Sequence, residues 1–361
     1  MAKLFIPGPV SVSKSTLDSM NREMIGHRGK ECLELFGSVS ENLKKVFQTN
    51  NRVLISTSSG SGLMEGSIRS CVSDNVLMCS CGAFGKKWFD IAKACGKNVD
   101  LLEVLPGKGF RPEQIEEKLK TKKYDAVCVT HNETSTGVAN HLAELGSVIK
   151  ESKALFFVDA VSSMGGAKIE VDKIGADVCV TSSQKCFALP PGLSFASVSE
   201  RALEKAKSVK GRGYYFDFVE LAKECDANQT PYTPAVGLLF GLKERLDAMN
   251  NEGLDNVWER HASMARETQK WALSKGMSLF AEENYRSNTV TCVENTKKVN
   301  LEEAKKKVKA RGFVMDAGYR KLNDDLLKAN RSETFRIPHM GNLKLEELKE
   351  YLAVLEEEMK L

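Results

Sequence analysis

The sequence lacks long hydrophobic runs, and its cysteines lack the spacing of a disulfide or zinc framework. No apolar stretch approaches the length of a membrane-spanning helix, so we expect no membrane insertion. The ten cysteines are scattered without a CxxC pair, and no secretory signal precedes Pro7, which together predict a reducing cytoplasm. Cys79-Ser-Cys81 has no matching second pair, so we expect no metal site.

An excess of one charge is also absent. The 52 basic and 48 acidic residues give a net charge of +4, which argues against a nucleic-acid partner. The local run Lys305-Lys-Lys-Val-Lys309 follows Glu302 and Glu303 at helical spacing, and we interpret it as a solvated helix face. The sequence contains no internal repeat and no low-complexity segment, so a solenoid is not expected.

The chain is long enough for two domains. Its 361 residues exceed the length at which one hydrophobic core usually stops growing. Between about residues 50 and 200, short apolar runs alternate with amphipathic stretches, which predicts a mainly parallel seven-stranded sheet covered by helices on both faces. The predicted strands are 53–55, 75–78, 99–104, 125–129, 154–158, 177–180 and 193–196. The helical patterns between them include 63–72, 112–120 and 142–150.

The pattern changes after Val236. Long helices run through Met249 and again over 254–275, and a smaller α+β unit follows. Its predicted strands are 287–293 and 335–337, and its predicted helices are 301–310 and 343–360. The predicted domains are an N-terminal segment 1–15, a large domain 16–252 and a small C-terminal domain 253–361.

Ligands of an open α/β sheet bind beyond the carboxyl ends of its strands. The first predicted strand of this sheet is followed by Ser56-Thr-Ser-Ser-Gly-Ser-Gly62 and then by a helical pattern. Small residues at a helix N-terminus expose backbone N–H groups to an anion, so this loop suits a phosphate. A Ser/Gly loop without a ligand is an equal alternative, because the spacing matches neither a Walker loop nor a GxGxxG fingerprint.

Two charged residues follow later strands of the same sheet. Asp159 stands at a strand end, where its carboxylate could cap a helix, bind a metal or pair with a protonated heteroaromatic nitrogen. Lys185 ends the stretch Thr181-Ser-Ser-Gln-Lys185 after the next strand, sheltered among small residues. Such a lysine suits an amine that forms an imine with a carbonyl cofactor, and the alternative is a surface lysine in a polar loop.

These residues carry a family resemblance. The block Val158-Asp-Ala-Val-Ser-Ser-Met-Gly-Gly166, with Gln184-Lys185 and Pro190-Pro-Gly-Leu-Ser194, resembles the class V aminotransferases of pyridoxal phosphate (PLP) fold type I. It is similar to alanine:glyoxylate and serine:pyruvate aminotransferases and to archaeal broad-specificity aspartate and phosphoserine-type enzymes. The resemblance extends from Pro7-Gly-Pro9 and Gly26-His-Arg28 to Arg336-Ile-Pro-His-Met-Gly341. It implies an α/β PLP-dependent transaminase that is a homodimer with shared active sites.

The resemblance also implies roles for individual residues. Lys185 would hold PLP as a Schiff base and shuttle the substrate proton, and Asp159 would keep the PLP ring nitrogen protonated. The other implied cofactor contacts are Ser61, Gly62, Leu63 and Gln184 at the phosphate, Phe84 stacked on the ring, Thr134 near O3′, Val161, and Thr230 and Thr233 in the partner's site. His131 is interpreted as structural.

Substrate binding is implied for a second group. Arg336 would clamp the α-carboxylate, since a guanidinium fork suits that planar anion better than lysine; a surface arginine is the alternative. The resemblance places Gly8 and Gly26, together with the N-terminal segment, along the same pocket. His27 and Arg28 fall where phosphoserine aminotransferases bind the substrate phosphate, although broad-specificity relatives carry the same pair.

The expected reaction is ping-pong transfer of an amino group from a small amino acid, alanine or serine, to a 2-oxo acid such as glyoxylate or pyruvate. The alternative is a phosphoserine or aspartate aminotransferase that uses His27 and Arg28. A cysteine desulfurase is disfavoured, because Gln184 and Phe84 stand where desulfurases use histidine, and Cys292 lies within a predicted strand. A non-catalytic binding module is disfavoured because Lys185, Asp159 and Arg336 are all present.

Overall fold

The computed structural model describes residues 2–361, which form fourteen strands and fourteen α-helices. The strands are β1 Lys3–Phe5, β2 Arg52–Ser56, β3 Asn75–Ser80, β4 Asn98–Glu103, β5 Ala126–Thr130, β6 Asn132–Glu133, β7 Val138–Ala139, β8 Leu155–Asp159, β9 Val178–Ser182, β10 Ser194–Val198, β11 Ser278–Leu279, β12 Val290–Glu294, β13 Phe313–Met315 and β14 Thr334–Pro338. The helices are α1 Lys14–Met20, α2 Lys30–Phe47, α3 Gly60–Cys71, α4 Ala83–Ala94, α5 Pro112–Thr121, α6 Leu142–Glu151, α7 Val171–Ile174, α8 Glu200–Ser208, α9 Phe218–Asp226, α10 Val236–Glu252, α11 Leu254–Ser274, α12 Leu301–Ala310, α13 Arg320–Lys328 and α14 Leu345–Met359.

Seven strands form the main sheet in the order β2-β10-β9-β8-β5-β3-β4. All neighbours from β9 to β4 pair in parallel, and only β10 runs antiparallel to its neighbours. The central strands β5, β8 and β9 are buried over their whole length, which explains why they appear in the sequence as continuous apolar runs. The predicted mainly parallel seven-stranded sheet is confirmed.

The C-terminal part of the chain has its own sheet and its own core. Strands β11, β12 and β14 form an antiparallel sheet, and β1 pairs in parallel with β13. Phe5 therefore packs in the same core as Phe313, Phe335 and Tyr351. The sequence analysis assigned no strand to β1 or β13, because three residues are too few to show an alternating pattern. The predicted domain limits at residues 15 and 252 stay a prediction.

Two elements begin three residues away from their predicted starts, whereas the other predicted starts differ by two residues or fewer. Helix α3 begins at Gly60 rather than at Leu63, so Ser61 and Gly62 lie in its first turn. Strand β12 begins at Val290 rather than at Ser287, because the Ser287 hydroxyl accepts the backbone N–H of Thr289 in a local turn. The helix boundary matters for the site, since it moves the helix N-terminus onto the Ser/Gly loop.

All ten cysteines are unpaired, and nine of them are buried. Burial raises the pKa of the Cys79, Cys128 and Cys292 thiols, so these side chains act as small apolar groups. Cys292 lies within β12, as predicted. No helix within residues 2–361 combines the length and apolar character needed to cross a bilayer.

Two buried tyrosines, Tyr351 in the small core and Tyr285 in the large core, allow a matched test of hydrogen bonding by buried hydroxyl groups. The Tyr351 hydroxyl has no hydrogen-bond partner among the described residues, whereas the Tyr285 hydroxyl donates to the Phe110 carbonyl at 3.1 Å. We expect Tyr351→Phe to raise the free energy of unfolding by about 1 kcal/mol, because it removes an unsatisfied polar group. Tyr285→Phe should lower it by about 1 kcal/mol. Urea unfolding measures both changes, and an equal loss of stability in both variants would contradict the assignment.

Candidate active site

The site lies at the carboxyl ends of β5, β8 and β9. Parallel pairing sets Thr130 opposite Asp159 and Asp159 opposite Val180, so these three strands end at nearly the same level. The loops that follow them carry Thr134, Val161 and Lys185. Residues separated by up to about fifty positions along the chain therefore meet at one edge of the sheet.

Lys185 is buried, with only 9% of its surface exposed, so it is not the surface lysine of the alternative interpretation. Its Nζ donates to the Pro7 carbonyl oxygen. Gly8 has φ +110°, and a Cβ there would lie 2.7 Å from Lys185 Nζ, so only glycine lets the N-terminal segment cross the lysine so closely. Burial, assisted by the positive charge of Arg336, lowers the pKa of Lys185 to about 8.

Asp159 is a buried carboxyl group without a cationic partner. One oxygen accepts the Val161 backbone N–H at 2.9 Å, and no Lys, Arg or His of residues 2–361 forms an ion pair with it. Burial raises the pKa of Asp159 to about 7, and the nearby charge of Glu133 acts in the same direction. A cationic N–H placed against this carboxylate would return its pKa towards the ordinary value.

The N-terminus of α3 is open. The Ser59 side chain forms no capping hydrogen bond, so it does not compete for the Ser61 N–H, whereas the Gly62 N–H donates to the Ser59 carbonyl oxygen at 2.9 Å. The Ser182 hydroxyl next to Gly60 is buried without a partner, and so is the Gln184 side-chain oxygen. Uncapped N–H donors beside unpartnered polar atoms suit an anion such as a phosphate.

The side chains of Val161 and Phe216 pack against the start of α3. A Cβ on Gly60 would lie 2.9 Å from Val161 Cγ2, and one on Gly62 would lie 2.6 Å from Phe216 Cζ. The Leu63 side chain is fully buried in the large core, which leaves its backbone as the part directed to a ligand. The α3 N-terminus is therefore held close to the loop that carries Asp159.

Glu133 is a functional candidate that the sequence analysis missed. Its carboxylate is fully buried and accepts the backbone N–H groups of Phe84 at 2.9 Å and Gly85 at 3.1 Å. It also accepts the N–H and the hydroxyl of Ser135. Burial raises the pKa of Glu133, and these four donors oppose that shift. Glu133 thus fixes the start of α4 and with it Phe84; an acidic residue three positions after the buried strand β5 was the available signal.

Thr134 and His131 lie on the same loop. The Thr134 hydroxyl is 2.6 Å from the Ser162 hydroxyl, and both are buried. His131 Nδ1 is 2.8 Å from the Ser163 hydroxyl, and burial lowers the pKa of His131 to about 4, so its ring is neutral. This contact agrees with the structural interpretation of His131.

Arg336 lies on β14 and is buried, which excludes the surface alternative. Its guanidinium binds Asp316 side-on, with Nε to Oδ1 and Nη2 to Oδ2 both at 2.9 Å. Nη1 donates to the Thr134 carbonyl oxygen at 3.1 Å, so the arginine joins the small sheet to the active-site loop. The Tyr319 ring lies 5.9 Å from the guanidinium carbon. Neither Asp316 nor Tyr319 was identified from the sequence.

A cavity of about 460 Å³ adjoins the site between α4 and α13. Phe84, Ser135 and Tyr319 line it, and the Phe84 and Tyr319 ring centroids are 6.2 Å apart. Lys185 and Asp159 are not part of its lining. Tyr319 therefore borders both the cavity and the Arg336 guanidinium.

The remaining predicted residues form a separate group. Gly26 and Arg28 are exposed, and His27 is half-buried. The Arg28 guanidinium donates to the Thr230 carbonyl at 2.8 Å and also to the Gln229 side chain and the Pro231 carbonyl. The Thr230 hydroxyl donates to the Tyr232 carbonyl, and Thr233 is exposed. No hydrogen bond or ion pair within residues 2–361 links this group to Lys185, Asp159 or Arg336.

Known proteins resemble this chain in both sequence and fold. The family described as aminotransferase class-V matches residues 13–338. An uncharacterized aminotransferase of Methanocaldococcus jannaschii is 39% identical over 98% of this chain and 91% of its own length. The serine–glyoxylate aminotransferase of Methylorubrum extorquens is 33% identical over 94% of this chain and 86% of its own length. The crystal structure of an alanine–glyoxylate aminotransferase from Nostoc sp. has a TM-score of 0.92 and 28% identity, covering 99% of this chain and 95% of that one. The chain belongs to the class-V aminotransferases of PLP fold type I and is an enzyme that transfers amino groups.

Proposed function

We propose that the chain binds PLP at Lys185 and moves the amino group of alanine or serine to a 2-oxo acid such as glyoxylate or pyruvate. The observation that carries the proposal is a buried lysine at the same sheet edge as a buried carboxyl group that lacks a cation. The class-V aminotransferases are a PLP-dependent family, and the similar proteins named as serine–glyoxylate and alanine–glyoxylate aminotransferases support the substrates.

The residues present fit PLP. The open start of α3, with Ser61, Gly62, the Leu63 amide and Gln184, suits its phosphate, and Asp159 suits its ring nitrogen. Phe84 would stack on the ring, and Thr134 and Val161 would complete its surroundings. PLP, when bound, supplies a protonated ring that accepts the electron pair left at the substrate Cα.

Lys185 would move the proton. A pKa near 8 makes the Nζ amine available in its neutral form close to neutral pH, whereas an ordinary lysine would be almost fully protonated. Pro7 and Gly8 lie across Nζ and limit the access of water to it. Arg336 would hold the substrate carboxylate, so that the Cα hydrogen faces the lysine. The donor leaves as an oxo acid before the acceptor enters the same site.

The proposal includes contacts between two copies of the chain. Thr230 and Thr233 would reach the active site of a second copy of the chain, and Gly26, His27 and Arg28 would accompany them. Thr233 is exposed and Arg28 holds its segment, which supports this arrangement. Tyr214, exposed over 81% of its surface, lies beside Tyr232 as an uncovered aromatic group. We therefore propose a homodimer with shared active sites, in the reducing cytoplasm suggested by the unpaired cysteines.

The alternative of a phosphoserine or aspartate aminotransferase is not favoured. Arg28 already donates to three acceptors of residues 229–231, so its guanidinium is committed to that segment. The similar proteins reported above that carry a named activity act on serine or alanine with glyoxylate.

Lys185→Ala tests the central proposal. We expect alanine–glyoxylate transamination to fall by about 10³-fold or more, because the proton-moving amine is lost. The protein should also lose the visible absorbance of lysine-bound PLP. Lys205→Ala is the matched control, since Lys205 pairs with Asp125 at 2.7 Å on α8, away from the site. Wild-type rates in Lys185→Ala would refute the proposal.

Asp159→Asn tests, through the pH dependence of stability, whether the Asp159 carboxyl group lacks a cationic partner. In the cofactor-free protein the folded-state pKa is about 7, above the ordinary 3.8, so the ionised carboxyl group destabilises the fold increasingly from about pH 4 up to pH 7. Asp159→Asn removes that cost, and its gain in unfolding temperature should be larger at pH 8 than at pH 5. The same variant should bind PLP more weakly, because it cannot pair with the ring nitrogen. A gain that is equal at both pH values, or a loss at pH 8, would contradict this role.

The donor preference can be measured in single half-reactions. We expect alanine and serine to convert the PLP spectrum of the wild-type enzyme at least about tenfold faster than aspartate and phosphoserine, because Arg28 is not available to a side-chain anion. Stopped-flow spectra with each donor give the rates. Fastest conversion by phosphoserine or aspartate would restore the alternative.

A further inference from the structure

The turn between β13 and α13, Asp316-Ala-Gly-Tyr319, surrounds the Arg336 guanidinium from two sides. We propose that Asp316 is a positioning residue, which holds Arg336 in the one orientation that presents its Nη1–Nη2 edge to the substrate carboxylate. The inference rests on the proposed function and adds the residue that determines how tightly and in what pose the carboxylate binds.

A count of donors supports the orientation. A guanidinium has five N–H groups, and three are used: Nε and Nη2 bind Asp316, and Nη1 binds the Thr134 carbonyl oxygen. Asp316 therefore occupies the edge of the guanidinium formed by Nε and Nη2, and one unused N–H remains on each of Nη1 and Nη2. End-on binding of a second carboxylate would use one N–H from each of these two nitrogens.

The turn is rigid enough to act as a support. Asp316 Oδ1 also accepts the Gly318 N–H at 2.9 Å, and the Asp316 backbone carbonyl accepts the Arg336 N–H at 3.3 Å. Gly318 has φ +92°, and a Cβ there would collide with the Thr334 carbonyl oxygen, so glycine lets the turn lie flat on β14. Asn323 fastens the turn by donating to the Ala317 and Thr334 carbonyls.

Tyr319 restricts the guanidinium in the remaining direction. Its ring lies 5.9 Å from the guanidinium carbon and also lines the cavity beside Phe84. With Asp316 at one edge, Thr134 at Nη1 and Tyr319 over one face, rotation of the guanidinium would break several contacts at once. A fork held in this way loses less conformational freedom when a carboxylate binds.

Removal of the Asp316 charge has two opposing effects. Without the Asp316 charge, the positive charge of Arg336 is no longer compensated, which would tighten the binding of any carboxylate. The guanidinium is also free to rotate, which would weaken bidentate binding. A buried ion pair adds little to stability by itself, because desolvation offsets the attraction. Positioning therefore predicts that Asp316→Asn weakens carboxylate binding, whereas simple neutralisation predicts that it tightens it.

Two unreactive amines isolate the carboxylate. 2-Methylalanine has no Cα hydrogen to lose, and tert-butylamine, which has a methyl group in place of the carboxylate, has none either. Spectral titration of the PLP-loaded enzyme should show that Asp316→Asn raises the dissociation constant of 2-methylalanine about tenfold or more and changes that of tert-butylamine less than about twofold. Asp324→Asn, an exposed aspartate on α13 without an ion pair among residues 2–361, is the matched control and should change neither.

A double variant tests whether Asp316 influences carboxylate binding through Arg336. In an Arg336→Lys background the fork is absent, so Asp316→Asn should add less than about a twofold change to 2-methylalanine binding. If Asp316→Asn does not fold, Asp316→Ser provides the same comparison. Tighter 2-methylalanine binding, equal weakening of both amines, or a full additional loss in the Arg336→Lys background would each overturn the positioning role.

The wild-type titration separates this inference from the proposed function. If the wild-type enzyme takes up no PLP, or binds tert-butylamine as tightly as 2-methylalanine, the proposed function fails before any variant is made. If the wild type prefers 2-methylalanine and Asp316→Asn keeps that preference, only the role of Asp316 fails.

Discussion

Parallel pairing of β5, β8 and β9 is the constraint on which the site depends. Because neighbouring parallel strands run in the same direction, their carboxyl ends lie at one edge, and the register sets Thr130, Asp159 and Val180 side by side. Helices cover both faces of these buried strands and leave that edge as the place where polar loops can gather. The positions of Lys185 and Thr134 follow from this alignment, and the start of α3 is brought to the same edge by β10, which pairs antiparallel with both β9 and β2.

The site is assembled from groups that cost stability in the folded chain. Asp159 lacks a cation, the Ser182 hydroxyl and the Gln184 side-chain oxygen lack partners, and burial makes protonated Lys185 unfavourable. Each unsatisfied buried polar group costs about 1–3 kcal/mol. The large core of the seven-stranded sheet offsets this cost, and an anionic ligand with a cationic ring matches the missing partners.

The smaller core contributes to the same site from the other side. Strand β1 pairs with β13, so the chain that continues from it brings Pro7 and Gly8 over Lys185. Strand β14 carries Arg336, whose contact with the Thr134 carbonyl crosses to the loop after β5. In the proposed function, the groups that bind the substrate thus come from the small sheet, and those that bind the cofactor come from the large sheet. Movement of one sheet relative to the other would change the distance between the carboxylate clamp and the lysine.

The sequence by itself determined the seven strands of the main sheet and the family, and it indicated Lys185, Asp159 and Arg336 as candidate site residues. These were accessible because buried parallel strands leave continuous apolar runs, and because strand ends mark where polar residues are functional. Only the tertiary structure decided which partners these residues have. Glu133 meets Phe84 across 49 positions and Asp316 meets Arg336 across 20, and neither contact leaves a periodic pattern in the chain. The short strands β1 and β13 escaped detection for the same reason: their pairing, not their composition, makes them strands.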